Sequence, residues 1–72
     1  MQPNPPRRVD VRELRLSLHM SQPQFAEQFG LNLSTLRQWE RGARYPTGLA
    51  QTLLAVIRHS PDAVKEAIRA AA

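Results

Sequence analysis

The chain predicts an all-α domain of five short helices, and three observations carry that prediction. Apolar residues recur three and four positions apart in five separate stretches, as one buried helical face requires. A start signal (Asp10, Ser21, Asn32, Thr47 or Ser60) precedes each stretch. Between the second and third stretches stands Gly30-Leu31-Asn32, where glycine can end one helix in the left-handed conformation and asparagine can cap the next. Two helices so joined form the supersecondary unit that seats its second member in the DNA major groove.

Residues 1–8 hold three of the six prolines, two arginines and no apolar periodicity, so they are expected to form a flexible basic arm. Such an arm can follow a phosphate backbone or enter a minor groove. The general behaviour of termini favours a plain tail, or the remnant of a longer chain. The domain proper is placed at 9–72, with its helix-turn-helix core at 21–41.

Asp10 opens the first helix, with Glu13 three residues on as in a capping box and Val11, Leu14 and Leu18 inward. The helix is expected to stop at Ser17 or Leu18, leaving His19 where the chain turns. Ser21 and Gln24 repeat the capping pattern for a second helix over 22–29, and Pro23 is tolerated in its first turn. Phe25, Ala26 and Phe29 face inward there, Ala26 being small enough to let two helices approach; Glu27 and Gln28 face solvent. A third helix is predicted to start after Asn32 and run to about Arg41, ended by Gly42, with Leu36 and Trp39 on its inner side. Ser34, Thr35, Arg37 and Gln38 fall on the outer side, where hydroxyls and amides can donate and accept. Thr47 is expected to cap a fourth helix with Leu49, Ala50, Leu53, Leu54 and Ile57 in the core. Ser60-Pro61-Asp62 opens a fifth, with Val64, Ala67, Ile68 and Ala71 on a thin apolar face that either closes the core or meets a second copy.

Seventy-two residues make one domain at most, and a chain of this size buries only about 60% of its unfolded surface. Ten basic residues against six acidic ones give a net charge of +4, and nine of the ten are arginine, whose planar fork suits phosphate and guanine. Cysteine is absent, which removes disulfides, cysteine-based zinc sites and thiol catalysis and fits a reducing compartment; the cytoplasm is the expected setting. No apolar run approaches the roughly 20 residues of a membrane span. The acids are scattered, the histidines stand apart near helix ends, and no glycine-rich phosphate loop occurs, so neither catalysis, metal binding nor a cofactor is expected. Glu40 lies in the most basic stretch. Facing phosphate it would be repelled, so it is expected to turn inward and pair with Arg15. Trp39 is read as a core residue rather than a base-stacking one.

The run Leu14-Arg15, Met20-Ser21-Gln22, Phe25-Ala26, Phe29-Gly30-Leu31, Leu36, Trp39-Glu40-Arg41-Gly42, Arg44 and Pro46 resembles the XRE or Cro and phage-repressor type of helix-turn-helix, a lambda-repressor-like five-helix fold. The resemblance covers about residues 9–58, and the segment 39–48 is most similar to antitoxins of the HigA and MqsA kind. It implies that Gln22 contacts phosphate and sometimes a base, that Leu33, Ser34, Thr35, Arg37 and Gln38 enter the major groove, and that Asn32 caps that helix and touches phosphate. Arg41 and Arg44 would meet the backbone, and Arg15 with Glu40 would match the family's structural ion pair. Two departures stand out: His19 replaces a usual glycine, and Leu33 is apolar where a polar residue is common, which suits it to a thymine methyl or a sugar. The function implied is a homodimeric repressor on a pseudo-palindromic operator, autoregulating a type II toxin-antitoxin operon with a RelE-like toxin as partner. A phage-type repressor without a toxin, or chiefly a toxin-neutralising interaction module, are the alternatives.

Overall fold

A computed structural model describes residues 9–72; the expected arm at 1–8 lies outside the described residues. Those residues form α1 (Val11–Ser17), α2 (Gln22–Gln28), α3 (Leu33–Glu40), α4 (Leu49–His59) and α5 (Pro61–Ala71), with no strand among them. The all-α, five-helix expectation holds. α2 packs on α3, α1 on α3, and α4 on α5.

The first three helices begin on side-chain caps. Asp10 accepts the Glu13 N–H at 3.0 Å, and Asn32 accepts that of Thr35 at 3.1 Å. At Ser21 the box is reciprocal: its hydroxyl accepts from the Gln24 N–H, and the Gln24 carbonyl accepts from the Ser21 N–H. These three helices also end alike, on a left-handed residue that lets the chain fold back and satisfy the last carbonyls. The Leu31 N–H reaches Ala26 O at 2.8 Å around Gly30 (φ 66°), and the Ala43 N–H reaches Gln38 O at 2.9 Å around Gly42. In α1 the same turn is made by His19 at φ 58°, a conformation that costs a non-glycine residue about 1–2 kcal/mol.

Phe25, Phe29, Leu36, Leu54 and Ile57 form the fully buried centre, with the Phe25 and Phe29 rings tilted at 56° and 4.9 Å apart. Val9, Val11, Leu14, Ala26 and Val64 complete the core. Trp39 packs against it half-buried, as does Leu33.

Three expectations at the later helices are corrected. Thr47 does not cap α4: the N-cap is Gly48, at φ 54° and ψ −126°, and no side chain bonds the first turn. Because the chain bends at Gly48, the threonine hydroxyl stands one residue too early. Leu49 is not in the core but 88% exposed. The inward stripe is Ala50, Leu54 and Ile57 at i, i+4 and i+7, and Leu49 lies about 140° around the helix from Leu54. Ser60 occupies the N-cap position of α5, yet its side chain makes no capping bond; Pro61 and Asp62 supply the start instead. On α5 itself Val64 is buried and Ile68 half-buried, whereas Ala67 and Ala71 are exposed.

Candidate nucleic-acid interface

The α2–α3 turn fixes which side of α3 meets solvent. Leu36 is held at zero exposure beneath it, so Ser34 and Arg37, with Arg41 at the helix end, form an outer stripe at i, i+3 and i+7. All three are exposed. Thr35 is half-buried beside them, and Asn32, exposed, spends its side-chain oxygen on the cap. Arg44 is exposed in the loop that follows. Two groove-facing candidates are turned partly inward. Leu33 leans on the core, and Gln38 buries its side-chain carbonyl oxygen without a hydrogen-bond partner.

Behind the stripe lies a polar cluster drawn from three helices. Arg15 of α1 donates from Nε to Glu40 Oε2 at 2.7 Å and from Nη2 to Glu40 Oε1 at 2.8 Å, a bidentate ion pair with side chains only 11% and 6% exposed. Its remaining terminal nitrogen, Nη1, donates to Met20 O at 2.9 Å, which ties the pair to the α1–α2 turn. Gln22, the first residue of α2, donates from Nε2 to Glu40 Oε1 at 3.2 Å and accepts from Arg37 Nε at 3.3 Å. Thus Gln22 touches two side chains of α3.

The hydrogen bonds from Arg15 hold the Glu40 carboxyl below its ordinary value of 4.5; burial opposes that shift, and Gln22 and the charges of Arg15 and Arg12 reinforce it. Arg15 in turn is raised, mainly by its bond to Glu40. An open depression of about 410 Å³ over this cluster is lined by Arg12, Arg15, Gln22, Arg37, Glu40 and Arg41. Four guanidinium groups around one carboxylate make a cationic surface that suits phosphate. Arg12 is the residue that sequence reasoning overlooked. Its signal was present, because three positions from Arg15 on a helix is the same face.

Among the described residues no group of His, Cys, Asp or Glu is arranged to hold a metal ion, and no helix is long and apolar enough to cross a membrane.

A glycine-turned pair of short helices, the second presenting hydroxyls and a guanidinium beside an arginine-lined depression, is the architecture of a helix-turn-helix DNA-binding domain. The helix-turn-helix family profile matches residues 11–55, from the start of α1 into α4, and the chain belongs to that family, in its XRE type. A crystal structure of an XRE-family-like helix-turn-helix protein from Agrobacterium tumefaciens superposes with a TM-score of 0.80 at 29% identity, covering 82% of this chain and 95% of that one. The Type II methyltransferase M.SsoII of Shigella sonnei is 46% identical over 41 residues, which is 53% of this chain. The chain spans only 11% of the methyltransferase's length.

Proposed function

We propose that the chain is a sequence-specific repressor that binds double-stranded DNA as a homodimer, each α3 entering one half-site of a pseudo-palindrome. The observation that carries this reading is the outer stripe of Ser34, Arg37 and Arg41, laid over a helix whose inner residue, Leu36, is locked in the core. Ser34, Thr35 and Arg37 read base edges; Leu33 lies against a thymine methyl or a sugar; Gln38 serves through its amide nitrogen. Asn32, Gln22, Arg41 and Arg44 fix the helix on the phosphates. Half-site centres one helical turn apart, ~34 Å, match a twofold dimer.

The finer reading is an antitoxin, or the DNA-binding part of one, acting in the cytoplasm on its own toxin-antitoxin operon. Its support is the resemblance carried by 39–48, and a RelE-like toxin is the partner that resemblance implies. A second reading has a specific observation behind it. α4 and α5, with the end of α2, leave an open apolar groove of about 520 Å³, bordered by Leu53, Val56, Ala67 and Ile68, which suits a protein-interaction module. A phage-type repressor without a toxin uses the same DNA-binding face.

The test is selection from random genomic fragments at moderate salt, followed by titration of the recovered fragments at higher salt. Enrichment of a pseudo-palindrome from the protein's own promoter is the expected result. Unselective binding that vanishes with salt overturns the repressor reading and puts the interaction module in its place.

A further inference from the structure

The hydrogen bonds behind α3 form a relay that converges on Glu40, and its chemistry leaves little freedom. A carboxylate only accepts, so the Gln22 amide must turn its NH2 toward Glu40 and its carbonyl oxygen away, toward Arg37. Glu40 is itself fixed by the two bonds from Arg15, which is anchored to Met20 O. Donation therefore runs from Arg37 to Gln22 to Glu40, where it meets the two bonds from Arg15, itself pinned to the Met20 carbonyl. Arg37 is held by Nε alone; its Nη1 and Nη2 make no hydrogen bond among the described residues, and the side chain is exposed.

We propose that Gln22 is a positioning residue for sequence recognition, fixing Arg37 by its Nε so that Arg37 presents its Nη1–Nη2 edge to the O6 and N7 of one guanine in each half-site. The inference rests on the DNA-binding reading above. An arginine can fork onto guanine through Nε and one terminal nitrogen or through its two terminal nitrogens. With Nε committed to Gln22, the second geometry remains. Restraint of a long side chain also removes rotamer freedom before binding, which turns a guanidinium that any phosphate would attract into one aimed at a base.

The experiment uses the whole chain and the operator that the genomic selection yields, with each guanine replaced in turn by 7-deazaguanine, which lacks the N7 acceptor and keeps its Watson–Crick edge. Wild-type protein is expected to lose about tenfold in affinity at one guanine per half-site, the scale of one good arginine–guanine fork. Gln22→Ala and Gln22→Met, checked for folding by thermal melting, are expected to bind the unmodified operator more weakly and to become insensitive to that replacement, as is Arg37→Lys. In the free protein, the Arg37 Nε–H resonance is expected to lose its protection from exchange in both Gln22 variants. If wild type selects no operator, the DNA-binding reading itself fails. If wild type selects one and both Gln22 variants keep the full 7-deazaguanine penalty, the relay alone is overturned. Tighter operator binding by Gln22→Ala also overturns it, because Gln22 then holds Arg37 away from the base.

Discussion

Glu40 accepts three hydrogen bonds, two from Arg15 and one from Gln22, on a side chain that is almost wholly shielded. Shielding both charges is costly, and the bidentate geometry offsets the cost only while both partners are present. Glu40→Gln is therefore expected to lower the unfolding free energy by about 1–3 kcal/mol in urea titration, because the half-buried Arg15 is left without its counter-charge. Replacing both residues by apolar ones of similar size is expected to cost far less. The lowered carboxyl pKa also fixes the direction of the pH response. In the unfolded chain the group takes up its proton near 4.5, before the folded one does, so stability from the pair is complete above that pH. It then falls as pH drops through the lower folded value, and Glu40→Gln is expected to flatten that limb of the acid titration. An acid surrounded by arginines was visible in the sequence as a residue that must turn inward. Gln22 as a bridge was not, because a neutral amide has no charge imbalance to betray its partners.

At the scale of the helices, the legible parts were those whose signal is local to one turn. Asp10, Ser21 and Asn32 each accept from the N–H three residues on, and Gly30 and Gly42 stand at positive φ where the ends of α2 and α3 require it. Helix periodicity likewise picked Phe25, Phe29, Leu36, Leu54 and Ile57. The start of α4 was misread because Thr47 and Gly48 are both acceptable cap residues, and only the three-dimensional path decides between them. At φ 54° and ψ −126°, Gly48 is in a region that side chains avoid, although an added Cβ there meets no atom within 4 Å. The cost of Gly48→Ala is thus purely backbone strain, about 1–3 kcal/mol. Thr47→Ala, which removes no capping bond, is expected to change stability by no more than about 0.5 kcal/mol. Parallel chemical denaturation of the two variants distinguishes them, and a larger loss from Thr47→Ala would restore the threonine as the cap.

For the whole molecule, the arrangement of charge matters more than its sum. The chain carries +4, and Arg12, Arg15, Arg37 and Arg41 converge on one depression while α5 balances Asp62 with Lys65 and Glu66 with Arg69. That segregation was half legible: Arg37, Arg41 and Arg44 lie close together in the sequence and Arg15 was expected beside Glu40, but only the packing of α1 on α3 brings Arg12 to the same place. It also separates two duties that net charge cannot. In the proposed DNA-binding reading Arg37, tied to Gln22 over α3, discriminates among bases, whereas Arg44, exposed in the loop, neutralises phosphate wherever the domain lands. Arg44→Ala is expected to weaken specific and nonspecific duplexes alike and to reduce the slope of log affinity against log salt by about one for each phosphate left unneutralised. Arg37→Ala is expected to lose about 1–3 kcal/mol on the operator, with little change on unrelated DNA. Fluorescence anisotropy with operator and scrambled duplexes over a salt series measures both. Equal losses on every duplex, with equal changes of slope, would make the two arginines a single phosphate clamp and leave recognition to the hydroxyls of Ser34 and Thr35.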